Sequence, residues 1–118
     1  MGIGPFVVGP AVERKIGTSA FTVLSINATE WKTASWANEK GLYANIYSSA
    51  EDLNTAVASL AQRLSKSNPE AMSMLKKIFW QGTENWNTLL IQRAEISGKL
   101  VLSEFSKNAI AGFKAGAR

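Results

Sequence analysis

The clearest helical pattern in the chain lies at residues 50–64. Apolar residues recur there at spacings of three and four, which places on one helix face Leu53, Ala56, Val57, Leu60, Ala61 and Leu64. Either Ser48 or Ser49 is the predicted N-cap, because Glu51 and Asp52 each follow one of these serines by three residues, as in a capping box. The pattern therefore predicts a helix that buries one face against another element.

Three more helices are predicted after this one. Asn68 followed by Pro69 is a cap with a first-turn proline, and it predicts a helix that stops near Gly82. A stripe from Thr83 to Val101 predicts a long helix of about five turns, with these residues on one side: Trp86, Leu89, Leu90, Arg93, Ala94, Ser97 and Leu100. Ser103 either continues that helix or caps a last one that carries Ile110 and Phe113.

The first ten residues contain three glycines and two prolines, Gly2, Gly4, Pro5, Gly9 and Pro10, and are predicted to form a loop. Pro10 suits the first turn of a short helix that ends at Gly17, and Thr18 or Ser19 is placed to cap a second short helix through Ile26.

Thr33 is the next predicted N-cap, and its helix is expected to end at Gly41, since glycine tolerates the positive φ of a helix end. Residues Leu42 to Tyr47 are rich in strand-forming side chains and predict one strand. The fold class is therefore mainly α with one or few short strands. A lone strand cannot satisfy its own backbone hydrogen bonds, and four tryptophans are many for a small helical protein to bury. Both features indicate a part of a larger fold.

The composition excludes several kinds of chemistry. Among 118 residues there is no cysteine and no histidine, so thiolate nucleophiles, zinc clusters and histidine bases are absent. Most acids stand beside basic residues or at helix starts, as expected of surface and capping positions. Glu95, near Arg93, is the acid least easily explained in this way, and we interpret it as structural. We predict no catalytic residue and no metal site in this chain.

The net charge of +4 is concentrated at the end of the chain. Lys107, Lys114 and Arg118 follow the last acid, Glu104. They either suit the negative pole of a helix end or bind a phosphate-bearing ligand. We expect no nucleic acid partner, because the other basic residues alternate with acids. The weakly polar run Gly2–Val12 is too short to span a bilayer and does not look like a secretory signal. A cytoplasmic location is the default expectation.

Several motifs occur in the order and spacing of one family. They are Gly2-Ile3-Gly4-Pro5 followed by Ala11 to Gly17, then Thr33-Ala34 to Lys40-Gly41-Leu42, then Asn68-Pro69-Glu70-Ala71 with Lys76-Lys77, and finally Ser103 to Phe113. Together these segments resemble the C-terminal half of the crotonase superfamily, the enoyl-CoA hydratases and isomerases. Gly4 to Val8 and Ala94 to Lys99 are most similar to its methylglutaconyl-CoA hydratase branch.

This resemblance implies a parent enzyme of about twice this length that hydrates or isomerises an acyl-CoA thioester, with a lyase-type activity in fatty acid metabolism. Residues 1–47 would end its ββα spiral core, and residues 48–118 would form the helical region that makes trimer contacts. The family's catalytic glutamates and oxyanion-hole N–H groups precede the matched segments, so this chain alone is expected to be inactive. A homo-oligomer, either a trimer or a dimer of trimers, is the implied assembly.

The resemblance also implies the binding residues. Phe113 and Lys114 are the expected CoA contacts, and Gly4, Pro5 and Phe6 are expected to form a loop of the acyl pocket. No cofactor is implied beyond the CoA thioester, which is the substrate. Gly116 stands where many members carry a CoA-facing lysine, so Lys114 or Arg118 would have to replace it. The alternative functions are a non-catalytic helical assembly module and an unrelated small helical binding protein.

Overall fold

A computed structural model of the chain describes residues 2–116. These residues are mainly helical, at 69% helix, with no strand in the described range. The six helices are α1 (Gly9–Ile26), α2 (Ala34–Glu39), α3 (Ala50–Leu64), α4 (Pro69–Phe79), α5 (Trp86–Val101) and α6 (Glu104–Gly116). None of the helices within residues 2–116 is long and apolar enough to cross a membrane.

Helix α1 contains one residue that is not helical. Gly17 has φ 76° and ψ 160°, so the chain forms two helical pieces that meet there, as the sequence predicted. Pro10 lies in the first turn, where its missing N–H costs no hydrogen bond. Thr18 does not cap the second piece. Its hydroxyl donates a hydrogen bond to the Glu13 carboxylate across the kink, at 2.7 Å.

The predicted strand at Leu42–Tyr47 is wrong. Helix α2 ends in a Schellman motif, in which Gly41 (φ 79°) donates to the Asn38 carbonyl at 2.9 Å and Leu42 donates to the Ala37 carbonyl at 2.8 Å. The Tyr43 N–H also points back to Ala37, at 3.3 Å. These bonds fold the chain onto the helix end, so the first residues of the segment cannot join a ladder.

The predicted caps of α2, α3 and α4 are confirmed. The Thr33 hydroxyl accepts the Trp36 N–H at 3.1 Å, and the Ser49 hydroxyl accepts the Asp52 N–H at 3.1 Å, so Ser49 rather than Ser48 is the cap of α3. The Asn68 side chain accepts two N–H groups, those of Glu70 and Ala71. Each cap satisfies backbone donors that the helix itself leaves without a partner.

Helix α5 begins later than predicted. Thr83 donates its hydroxyl to the Trp80 carbonyl at 2.7 Å, so it closes the end of α4, and α5 begins at Trp86. Ser103 caps α6, because its hydroxyl accepts the Ser106 N–H at 3.3 Å. This choice resolves the two alternatives left open by the sequence. Helices α5 and α6 pack against each other.

The chain divides into two compact units. One comprises the described parts of residues 1–32 and 85–118, and the other comprises residues 33–84. The division at residue 47 implied by the family resemblance stays a prediction.

Few apolar side chains are buried in either unit. Among residues 2–116, the buried hydrophobic residues are Ala20 and Ala37, whereas Trp31 is 95% exposed. The chain exposes 9408 Å² of surface, but two separate compact bodies of half its mass would expose only about 7,600 Å² in total. The helices therefore present apolar faces that the described residues do not cover.

Candidate functional site

The candidate site is a pocket of about 200 Å³ in the unit that contains α1, α5 and α6. The loop before α1 forms one wall, α1 forms another, and Arg93 of α5 completes the lining. Most of the lining is apolar, and it consists of Gly4, Pro5, Phe6, Gly9, Pro10, Phe21 and Ile26. The polar lining residues are Glu13, Ser25 and Arg93.

The loop wall is held by a tight turn around Pro5. The Phe6 N–H donates to the Gly4 carbonyl at 2.9 Å, a three-residue turn in which the proline ring fixes the central φ. A Cβ atom on Gly4 would lie 2.8 Å from the Phe6 ring. Glycine at position 4 is therefore what allows the ring to fold over the loop and form part of the pocket wall.

A second close approach joins the loop to α1. A Cβ atom on Gly9 would lie 3.1 Å from the tip of the Phe21 ring, so a side chain there would push Phe21 aside. The glycines of the first segment therefore serve packing, and they let two aromatic rings, Phe6 and Phe21, line one cavity.

The three polar residues of the pocket differ in their partners. The Glu13 carboxylate accepts the Thr18 hydroxyl at 2.7 Å, and the Ser25 hydroxyl donates to the Phe21 carbonyl at 2.8 Å. The Arg93 side chain makes no hydrogen bond or ion pair with any residue of the described range 2–116. The pocket therefore combines apolar walls with one guanidinium that is available to a ligand.

The predicted binding residues fall into two groups. Gly4, Pro5 and Phe6 line this pocket, and their role as an acyl-pocket loop stays a prediction. Phe113 and Lys114 lie in the last turns of α6 and do not line it, and the Phe113 side chain is 74% exposed. Arg118, the other basic residue proposed to contact CoA, lies outside the described residues. The role of these residues in CoA binding stays a prediction.

Seven lining residues were missed as site residues, and the two charged ones are Glu13 and Arg93. Glu13 stands next to two basic residues and was interpreted as a surface acid. Arg93 was placed on the inward stripe of its helix but was not recognised as a site residue. A charged residue within a mainly apolar stripe was the available signal, since such a residue normally needs a partner. Glu95, the acid singled out by sequence, is exposed and does not line the pocket.

The arrangement can bind a ligand but contains few side chains that could act in catalysis. Among residues 2–116, Glu13 is the only carboxylate in the lining, and no second carboxylate stands beside it there. Within residues 2–116, no group of three or more acidic side chains could hold a metal ion. The pKa of Glu30 is lowered beside Lys32 and that of Asp52 beside Ser49, and both carboxyl groups lie outside the pocket lining.

Comparisons with known proteins give no relatives for this chain. No protein-family model, no curated protein and no solved structure matches it. The helical fold and the pocket therefore stand on the chain's own structure.

Proposed function

We propose that this chain is the C-terminal part of an enoyl-CoA hydratase/isomerase family protein, which hydrates or isomerises an acyl-CoA thioester. In this proposal the parent is a cytoplasmic homo-oligomer. The chain supplies a pocket loop and a helical region, and another part of the protein supplies the catalytic acids. The observation that carries the proposal is the pocket beside Gly4, Pro5 and Phe6, because the sequence motif that suggested the family also forms its loop wall.

The chemistry of the pocket is suited to binding the acyl chain. An acyl chain is apolar, and burial against Phe6 and Phe21 would contribute roughly 25 cal/mol for each Å² removed from water. The lining formed by residues 2–116 lacks the groups needed for the chemical step. A hydration needs groups that handle water and a proton, and Glu13 is a single carboxylate already bonded to Thr18. The chain alone should therefore bind thioester without turning it over.

The end of α6 suits the other part of the substrate. Lys114 is an exposed cation in the last turn, and Phe113 beside it presents an exposed ring. A cation can pair with the phosphates of CoA, and an exposed ring can stack on its adenine. In this proposal, Lys114 takes the place of the family's lysine at the position now held by Gly116.

A non-catalytic assembly module is the second candidate, and the exposed apolar faces favour it. Val57 and Leu60 on α3 are 57% and 48% exposed, and Phe79 at the end of α4 is 64% exposed. Large apolar faces on a soluble domain commonly mark surfaces that another element covers. This candidate predicts association of the helical faces without any affinity for CoA thioesters.

Calorimetric titration of the 118-residue chain with crotonyl-CoA tests the proposal. We expect saturable binding of one thioester per chain, with no loss of crotonyl-CoA over the experiment. Lys114→Ala should weaken binding about tenfold, the effect of losing one charge-assisted contact. Lys107→Ala is the matched control, since Lys107 lies in the same helix but pairs with Glu104 at 2.7 Å. It should leave binding nearly unchanged.

Two results would decide against this proposal. Absence of saturable binding would leave the assembly module as the better candidate. Equal weakening by Lys114→Ala and Lys107→Ala would show that the lysines act through general charge, and it would remove Lys114 from a defined CoA contact.

A further inference from the structure

The pocket lining contains two opposite charges that do not form an ion pair with each other. Arg93 and Glu13 both line it, yet no ion pair joins them. Glu13 is bonded to Thr18, whereas the Arg93 guanidinium has no hydrogen-bonding or ionic partner among residues 2–116. Arg93 is also partly buried. Within the described part of the chain, the Arg93 guanidinium in this pocket therefore has no anionic partner.

The lack of an anionic partner for Arg93 among residues 2–116 has a chemical consequence. A charge beside apolar walls loses part of its hydration, and an opposite charge with hydrogen bonds compensates for that loss. The planar guanidinium donates two parallel N–H groups that match the two oxygens of a carboxylate. A carboxylate is therefore the anion that Arg93 is best suited to hold.

The remaining walls define the body of such a ligand. Phe6 and Phe21 supply aromatic surfaces, and Pro5, Pro10 and Ile26 add aliphatic ones. The volume of about 200 Å³ lies below the usual range of pockets that hold drug-sized molecules. A small apolar acid fits this description, whereas the whole of a large or strongly polar molecule would not fit inside the pocket.

We infer that this pocket binds a small apolar carboxylate, with Arg93 holding the carboxylate and the two phenyl rings enclosing the apolar body. The inference uses only the pocket's own residues, so it holds whether or not the chain binds CoA thioesters. Glu13 acts against the ligand charge from the same lining and so limits the affinity.

Paired ligands test this inference on the full chain. Phenylacetate carries the carboxylate, and phenylacetamide has nearly the same shape without the charge. Titration followed by NMR should show phenylacetate binding about tenfold more tightly than phenylacetamide, the effect expected of a charge-assisted contact. In Arg93→Gln this preference should disappear. Lys99→Gln, which removes the same charge elsewhere on α5, should keep it.

A second variant separates the charge effect from damage to the fold. Glu13→Gln should strengthen phenylacetate binding several-fold and leave phenylacetamide binding unchanged, because only the anion feels the lost repulsion. The inference is overturned if the wild-type chain binds neither ligand, if it binds both equally, or if Lys99→Gln abolishes the preference as fully as Arg93→Gln does. Because the ligand comparison in the wild type needs no variant, a failure of Arg93→Gln to fold would not remove the test.

Discussion

Ser49 and Asp52 bond to each other in both directions at the start of α3. The Ser49 hydroxyl accepts the Asp52 N–H at 3.1 Å and donates to the Asp52 carboxylate at 2.8 Å. Ser48 donates a second hydroxyl to the same carboxylate at 3.0 Å. The two serines therefore have different roles: Ser49 caps the helix backbone, and Ser48 donates its hydrogen bond to the Asp52 side chain.

This difference predicts the effect of removing each hydroxyl. Ser49→Ala should destabilise α3 by about 1 kcal/mol, because a backbone donor of the first turn loses its partner. Ser48→Ala is the matched control and should cost clearly less. Amide hydrogen exchange within α3 measures both effects. An equal loss of protection in the two variants would contradict the assignment of Ser49 as the cap.

The same contact predicts a pH dependence for Asp52. Hydrogen bonds donated by Ser49, and next by Ser48, hold the pKa of Asp52 below its ordinary value of 3.8. Because the folded pKa is the lower one, the stabilisation is present above about pH 4 and is lost as the pH falls through the lowered pKa. An NMR titration should show this lowered pKa, and Ser49→Ala should raise it towards 3.8. Titration at the ordinary value in the wild type would rule the contact out in solution.

Replacing glycine by alanine should change helix stability in opposite directions at positions 41 and 98. Gly41 has φ 79°, so Gly41→Ala forces a Cβ into the left-handed region and should destabilise the end of α2 by about 1 kcal/mol. Gly98 lies within α5, and a Cβ there meets no atom within 4 Å apart from its chain neighbours and the nearby backbone of its own helix. Gly98→Ala should therefore stabilise α5 by roughly 0.5–1 kcal/mol. Hydrogen exchange within each helix measures both changes in stability. Destabilisation by Gly98→Ala would contradict the prediction.

The uncovered face of α3 predicts association. Leu53, Val57, Leu60 and Leu64 share this face, and each is at least partly exposed. We expect the purified chain to self-associate and to bind a hydrophobic dye. Val57→Glu should reduce both, whereas Gln62→Glu, which adds the same charge on the opposite face of α3, should not. Sedimentation velocity measures the association. A wild-type chain that remains monomeric without dye binding would contradict this prediction.

Local signals in the sequence predicted most helix ends correctly. Thr33 and Asn68 cap helices because their side chains reach backbone donors two or three residues away, so the interaction is visible in a short window of sequence. The predicted strand at Leu42–Tyr47 was wrong because a strand depends on a partner that a short window of sequence does not show. Its side chains favour strands, but a strand needs a partner, and the backbone at Leu42 and Tyr43 bonds to Ala37 instead.

Only part of the candidate site could be predicted from the sequence. The loop residues Gly4, Pro5 and Phe6 were identified from a motif, and they do line the pocket. Arg93 is far from them in the sequence, and nothing local indicates that α5 brings it to that loop. Its placement on a mainly apolar stripe was visible, but its lack of an ionic partner among residues 2–116 could be seen only in the structure.

Hydrogen exchange of the full chain with and without saturating crotonyl-CoA tests the proposed function most directly. If the pocket loop and the last helix form parts of one thioester site, exchange should slow at residues 2–9 and at residues 105–116. Exchange within α3 and α4 should stay unchanged. Unchanged exchange in both of the first two segments, or slowing confined to α3 and α4, would contradict the proposal.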